Sequence, residues 1–273
     1  MASEDTFKEY GDTYMLAHER YQLILDELEQ HDIVKVAGLT KTFNVSTETI
    51  RRDLEHLEKE GTLKRVRGGA IPLPTNIKQT NFVLREEQYQ EEKQSIAQHV
   101  LQFVTEGQCI ALDVSTTNTE IARMLATQFK HLTIITNSLT IAEELKSTNF
   151  TVILPGGVLR NSELCIVGDS AIQFINGFHI DLFFMSISGI SLTEGLMDYG
   201  VGECEIKRAM YKNARQVYAV ADHSKFNVTA MLRICPVDAI NGIITDAHVQ
   251  AETLKEFEEA GVLVFSAEKQ TEK

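Results

Sequence analysis

Residues 46–69 read STETIRRDLEHLEKEGTLKRVRGG. Ile50, Leu54 and Leu57 recur at i, i+4 and i+7, the spacing of one buried stripe on a helix. Glu48, Arg52, Glu55 and His56 fall on the opposite face, with Thr49 beside them. Ser46 or Thr47 can cap the helix start with a side-chain oxygen. Gly61 is read as its end. Thr62 to Gly69 then carries Lys64, Arg65 and Arg67 and no acid. A short capped helix followed by a basic, glycine-ended ribbon is the pattern of a winged helix-turn-helix. Such a unit reads a duplex with the helix and holds its backbone with the wing. The bland alternative is a mixed-charge surface helix followed by a chance basic turn.

Working outward toward the N-terminus, Tyr21, Ile24, Leu25 and Leu28 share a face within Glu19 to Gln30, a first helix. Ile33, Val34 and Val36 are a β-branched interruption, a turn or short strand. Val36 to Phe43 is a short second helix, weakened at Gly38 by about 1 kcal/mol relative to Ala. Asn44 and Val45 turn into the helix at Ser46, a tight spacing that a helix-turn-helix demands. Tyr21, Ile24, Leu28, Leu39, Phe43, Val45, Ile50, Leu54 and Leu57 form the candidate core of this domain.

The 273 residues suggest two domains. Residues 1–18 read as a polar N-terminal extension, 19–75 as the winged helix-turn-helix and 76–92 as a linker. Phe82 and Arg85 are linker residues placed to dock on a domain. Residues 93–273 alternate helices with apolar strands, which implies an α/β domain with a largely parallel sheet. Strands are expected at Cys109–Leu112, Leu132–Thr136, Phe150–Leu154, within Asp181–Ile190, and at Gln216–Ala221, Ile240–Thr245 and Val262–Phe265.

Composition is that of an ordinary globular chain, with 43% hydrophobic and 24% charged residues. No apolar run approaches the ~20 residues that span a bilayer, and the acidic N-terminus lacks the apolar core of a signal peptide. A cytoplasmic protein with no membrane partner is expected. The net charge of −13 excludes a bulk polycation but not a locally basic docking face. Cys109, Cys165, Cys204 and Cys235 have no metal or redox spacing, and Cys109, in a strand-like run, reads as a buried free thiol. His179, His223 and His248 also lack metal spacing, so neither metal nor cofactor is expected.

Ligands of open α/β sheets sit at the carboxyl ends of strands. Polar groups gather there at Asp113 to Thr117, Thr136 to Ser138, Pro155 to Gly157 and Asp222 to Lys225. Ser115, Thr116 and Thr117 at a helix start offer hydroxyls and first-turn N–H groups that suit a phosphate. Gly156 and Gly157 permit close backbone approach, and Lys207 and Lys225 are candidate countercharges. Taken singly, such residues are more often a cap, a turn and a surface lysine. Their joint placement is the signal. Glu203 and Glu205 lie at i and i+2 and do not form a carboxylate pair.

These residues resemble the DeoR-type transcriptional repressors, from about Glu19 to Phe265. The signature runs from Val45-Ser46-Thr47-Glu48-Thr49-Ile50-Arg51-Arg52-Asp53-Leu54 through Leu57-Glu58-Lys59-Glu60-Gly61 to Arg67-Gly68-Gly69-Ala70. The other half adds Glu92-Lys93, Asp113 to Thr117, Thr136-Asn137-Ser138, Gly156-Gly157, the Gly189 region, Gly195-Leu196, Lys207 and Ala221 to Phe226. The resemblance implies a sensor domain like ribose-5-phosphate isomerase in fold, which binds a phosphorylated sugar or sugar alcohol and thereby changes affinity for operator DNA. Departures are visible. Arg67 stands where the family usually has His, and Ser115 where its phosphate loop has Gly. Phe184-Met185-Ser186 replaces Phe-Ile-Gly. Ser188 occupies a position expected to hold a carboxylate in related isomerases. Ala37-Gly38-Leu39-Thr40 replaces the usual Glu-Leu-Ala of the second helix.

On this reading Ser46, Thr47, Glu48, Thr49, Arg51, Arg52, Lys64, Arg65 and Arg67 meet double-stranded DNA, Arg52 at a guanine and Arg51 on the flank. Asp113, Ser115, Thr116, Thr117, Asn137, Ser138, Gly156, Gly157, Glu203, Lys207, Asp222 and Lys225 meet the effector. The protein is expected to be a carbohydrate-operon repressor, a homodimer or homotetramer and not an enzyme. The alternatives are a sugar-phosphate isomerase-like enzyme fused to a DNA-binding domain, and a winged helix that docks on protein.

Overall fold

The computed structural model describes residues 17–31, 33–59, 62–72 and 82–266. The N-terminal extension up to residue 16, Gly61 as helix terminator and residues 73–81 of the linker region lie outside them. Two compact units divide between Leu84 and Arg85.

In the first unit α1 (Ala17–His31) leads to β1 (Val34–Lys35), α2 (Val36–Phe43), α3 (Thr47–Lys59), β2 (Leu63–Val66) and β3 (Gly69–Pro72). Asn44, at φ 51°, makes the left-handed turn that ends α2. Ser46 starts α3 by accepting the Thr49 N–H at 3.0 Å. Ile24, Leu28, Leu39, Phe43, Ile50, Leu54 and Leu57 are buried together, joined by Val34, Leu63 and Ala70. Tyr21 and Val45 pack at the edge. The β-branched interruption is thus a working strand: β1 pairs antiparallel with β3, and β3 with β2.

The two wing glycines have different jobs. Gly68 sits at φ +87°, a conformation that L side chains rarely adopt. A Cβ on Gly69 would lie 1.9 Å from the Val34 carbonyl oxygen, so only Gly lets β3 approach β1. The hairpin is also tied to α3, because the Arg65 N–H donates to Glu58 at 2.8 Å.

The second unit takes in residues 85–92, which the sequence reading assigns to the linker. Arg85 pairs with Glu163, and Lys93 donates to the carbonyls of Arg85 and Glu86. The elements up to the third strand are α4 (Phe82–Glu87), which spans the boundary, α5 (Gln90–Val100), β4 (Cys109–Leu112), α6 (Thr116–Gln128), β5 (Thr133–Thr136), α7 (Leu139–Leu145) and β6 (Thr151–Ile153). Then come β7 (Val158–Arg160), β8 (Cys165–Val167), α8 (Asp169–Ile175), β9 (Ile180–Ser186), β10 (Gly189–Ser191) and β11 (Gly195–Asp198). The chain closes with α9 (Val201–Asn213), β12 (Ala214–Val220), β13 (Leu232–Cys235), β14 (Gly242–Thr245), α10 (Ala251–Glu259) and β15 (Val264–Ser266).

Seven of these strands form one sheet in the order β15-β14-β12-β9-β4-β5-β6. Every pairing in it is parallel. Strands buried on both faces read as apolar runs, which is why Ile110, Ala111, Leu112, Phe183, Phe184 and Met185 are all fully buried. One apolar cluster includes Ile96, Val100, Ile121 and Leu125, and another includes Ile175, Ile206, Met210 and Phe257. Two features were not legible in the sequence: the β7–β8 hairpin and the antiparallel sheet β10-β11-β13. Both are short, and their partners lie far apart or across a tight turn, so period alone does not mark them.

The order also reveals a topological switch. From β4 the chain moves outward through β5 to β6. It then returns to β4's other side as β9 and builds away through β12, β14 and β15. Strand order reverses between β4 and β9, the place where open α/β sheets bind their ligands.

Candidate DNA-reading face and effector crevice

On α3, Thr47, Glu48, Arg51 and Arg52 are exposed, as are Ser46 before it and Lys64, Arg65 and Arg67 on the wing. Thr49 is half-buried, its hydroxyl 2.8 Å from that of Ser46. Arg52 is 78% exposed and lies 3.5 Å from Glu48, one turn back. A pair this exposed is worth little, so its guanidinium exchanges partners readily. His56 is not a free surface group; it stacks on Tyr21 with centroids 4.7 Å apart. Asp53 is buried and takes two bonds from Arg20, Nε at 2.8 Å and Nη2 at 3.0 Å. This pair was not singled out in the sequence, because its members are 33 residues apart.

At the switch point Asp113 follows β4 and Ser186 ends β9. The Ser186 N–H donates to Asp113 Oδ1 at 2.8 Å, and its hydroxyl donates to Oδ2. Asn118, on the first turn of α6, donates to the Asp113 carboxylate, the Asp113 carbonyl and the Phe184 carbonyl. Lys207, on α9, reaches across with Nζ 2.7 Å from Asp113 and 2.8 Å from Asp198. It also donates to the Ser186 carbonyl and hydroxyl, at 2.7 and 2.8 Å. Burial alone would lower the Lys207 ammonium; the charges of Asp113 and Asp198 outweigh it and hold it above its ordinary value. Burial pushes the Asp113 carboxyl up against the pull of Lys207. For Asp198 the burial effect is outweighed by Lys207, and its carboxyl is held below the usual range.

This geometry changes the roles expected of several residues. Lys207 is 1% exposed with its donors committed, so it orients the crevice instead of supplying a free countercharge. Asp198 is the residue that sequence reasoning missed. It accepts from the Ser188 hydroxyl at 2.7 Å, so a carboxylate does stand beside the position where Ser188 lacks one. Its only sequence signal is its place two residues past Leu196 in a short strand.

Ser115 caps α6 by accepting the Asn118 N–H at 2.9 Å, and Ser138 caps α7 through the Ile141 N–H at 3.2 Å. Asn137 is fully buried and stitches loops together, accepting from the Val114 N–H and donating to the Ile166 carbonyl. Gly156 has open space about its Cα, but a Cβ on Gly157 would lie 2.6 Å from the Val167 carbonyl oxygen. Gly157 therefore lets β7 and β8 pack closely. Glu203 is held by Arg160 at 2.8 Å.

Thr116 and Thr117 open α6, where first-turn N–H groups lack intrahelical acceptors. Farther along the same sheet edge, Asp222 caps the turn His223–Lys225 through the Ser224 N–H. Lys225 lies 5.8 Å above the Tyr89 ring and 3.8 Å from Asp222. Burial lowers the neighbouring Lys93 ammonium to about 8. Tyr89 meets the His223 ring edge-on at 5.3 Å. His223 and His248, which have no metal spacing in sequence, come together with Glu92; His179 is not in that group. All four cysteines are free, and burial pushes Cys165 and Cys204 up to about 12.

A winged helix-turn-helix joined to an α/β unit with a polar crevice at its switch point defines a ligand-sensing, DNA-binding transcriptional regulator. Comparison with known proteins agrees. Residues 20–75 match the DeoR-like helix-turn-helix domain and residues 88–247 the DeoR C terminal sensor domain. The chain belongs to the DeoR family. It is 37% identical to the HTH-type transcriptional regulator GolR of Listeria innocua, over 93% of this chain and 100% of that one. It is 34% identical to the Glycerol-3-phosphate regulon repressor of Escherichia coli K12, over 84% and 90% respectively. Among solved structures, ribose 5-phosphate isomerase A of Methanocaldococcus jannaschii covers 50% of this chain and 54% of its own, at 15% identity and TM-score 0.38. Among the described residues no helix is long and apolar enough to cross a membrane.

Proposed function

We propose that this regulator represses a carbohydrate-metabolism operon and that a phosphorylated sugar or sugar alcohol modulates its grip on the operator. The observation that carries the effector half is the switch-point crevice. The Lys207–Asp113–Asp198 cluster is fixed beside the N-terminus of the 13-residue helix α6. The first-turn N–H groups and hydroxyls of Thr116 and Thr117 suit a phosphate. The buried carboxylates, Ser186 and Ser188 suit the hydroxyls of a polyol. Lys225, one-third exposed, supplies the countercharge. The names of the relatives, one a glycerol-3-phosphate regulon repressor, support this class of ligand.

For the operator, Arg52 is the reader, with bidentate reach to a guanine edge. Ser46, Thr47, Glu48 and Thr49 border it, and Arg51, Lys64, Arg65 and Arg67 neutralise phosphates. The chain acts as a homodimer or homotetramer, which sets two recognition helices about 34 Å apart on a symmetric operator. Effector shifts the DNA-binding equilibrium only through different affinity for the two states. The test is operator binding by full-length protein on the DNA adjoining its gene, titrated with a panel of sugar and polyol phosphates. A response to phosphorylated ligands and none to their unphosphorylated forms is expected. Indifference to every phosphorylated ligand removes the sensor reading and leaves DNA binding intact.

A further inference from the structure

We propose that Glu92, His223 and His248 form a binding site for a zinc-class divalent transition metal, at the edge of the sensor sheet. One ligand atom from each of the three lies within 4.8 Å of the other two. The three come from separate segments. Glu92 is on the first turn of α5, which packs against β14. His223 follows β12 and His248 follows β14, each three residues past its strand's last residue. These strands are parallel neighbours, with Val220 beside Ile244, so His223, three residues past that pair, and His248, four past it, leave the same sheet edge side by side. Their centroids are 5.5 Å apart.

A buried carboxylate holds both histidines. Asp246, 1% exposed, accepts the backbone N–H groups of His223 and His248, each at 2.7 Å. Its Oδ1 also lies 3.1 Å from His223 Nδ1 and 3.2 Å from His248 Nδ1. A carboxylate that orients ligating imidazoles is the usual support of a metal site. Glu92 is the third member, its Oε1 3.5 Å from His248 Nδ1, and with Nδ1 of each ring facing Asp246 an ion would take the Nε2 atoms. The rings remain within reach of solvent, since the His223 and His248 side chains are 29% and 57% exposed.

Two imidazoles and a carboxylate are a mixed nitrogen and oxygen donor set. It suits zinc, cobalt or nickel, whereas magnesium and calcium take oxygen alone. A zinc ion about 2.1 Å from each ligand needs ligand atoms within roughly 4 Å of one another, which small side-chain rotations supply. Three protein ligands leave a coordination position to water. An ion here would also brace the turn that carries Lys225. The site stands independently of the sugar-phosphate reading.

The experiment titrates chelator-treated full-length protein with Zn²⁺ by calorimetry, and with Co²⁺ by visible absorption. One ion per chain is expected, with a Co²⁺ spectrum distinct from that of the aquo ion and no competition from excess Mg²⁺. His248→Gln, at a side chain 57% exposed, should weaken Zn²⁺ binding at least tenfold while leaving the melting temperature without metal unchanged, and Glu92→Gln, which keeps the shape of the side chain, should weaken it likewise. Absence of Zn²⁺ binding by the wild type overturns the proposal. So does unchanged stoichiometry and affinity in His223→Gln/His248→Gln, which would place the ion elsewhere.

Discussion

Arg20 holds Asp53 through two parallel bonds inside the N-terminal unit, one from Nε at 2.8 Å and one from Nη2 at 3.0 Å. The pair locks the first helix to α3 through its buried face. Asp53→Ala takes from the buried Arg20 its two bonds to the Asp53 carboxylate and should cost about 3 kcal/mol. Arg20→Met/Asp53→Leu removes both charges and should recover most of that loss. Urea midpoints measure both. A loss under about 1 kcal/mol for Asp53→Ala would make the pair incidental.

Arg52 and the wing cations should fail differently. Arg52→Ala is expected to weaken operator binding by about 1–3 kcal/mol and relax one base position. Arg67→Ala should weaken operator and scrambled DNA alike and lower the salt slope by about 1. Equal losses on both DNAs for Arg52→Ala would make it a phosphate contact.

Two glycines of the DNA-binding unit predict opposite signs. Gly38 lies in α2 with nothing within 4 Å of an added Cβ, so Gly38→Ala should stabilise by about 1 kcal/mol. Gly69→Ala drives a methyl into the Val34 carbonyl and should destabilise, splitting β1 from β3. Thermal melts of the two variants check the pair. Stabilisation by Gly69→Ala would contradict the strand pairing.

Lys225 and Lys207 separate contact from positioning. Lys225→Ala, at a side chain one-third exposed, should lower effector affinity about tenfold or more without changing the melting temperature. Lys207→Met strips Asp113 and Asp198 of their shared cation. It should lower stability by about 3 kcal/mol and abolish the effector response. Effector titrations of the operator complex, paired with melts, distinguish the two.

The thiols set an alkaline limit. Burial raises Cys165 and Cys204 from 9.0 to about 12, so the folded chain keeps protons that the unfolded chain releases. Their contribution to stability is complete below pH 9.0 and is lost progressively as pH rises toward 12. At pH 8 iodoacetamide should leave both unmodified until the chain unfolds. Rapid native-state labelling of Cys165 would contradict its burial.

What was legible in the sequence was local. The helix from Thr47 to Lys59 announced itself by a stripe at helical period and a Ser cap, and the wing by adjacent glycines after a run of basic residues. Strand ends were legible because apolar runs stop at Asp113, Asn137 and Asp222. The reading of Lys207 as a candidate countercharge did not anticipate its burial between two carboxylates, since charge in a sequence carries no information about burial. Gly157 likewise reads as freedom of approach, and the fold uses it to clear the Val167 carbonyl.

The opening stretch, 46–69, by itself marked a capped amphipathic helix followed by a basic, glycine-ended ribbon. Helical period, capping and glycine chemistry act within a few residues, so neighbours in sequence suffice to express them. Only the tertiary structure decided the rest. Strand order placed Asp113 against Ser186 and opened a crevice at the switch point. Packing of α9 buried Lys207 between two carboxylates. Parallel pairing of β12 with β14 brought His223 and His248 onto Asp246. Each of these joins residues from distant segments, and such meetings are set by sheet order and register, which no local period encodes.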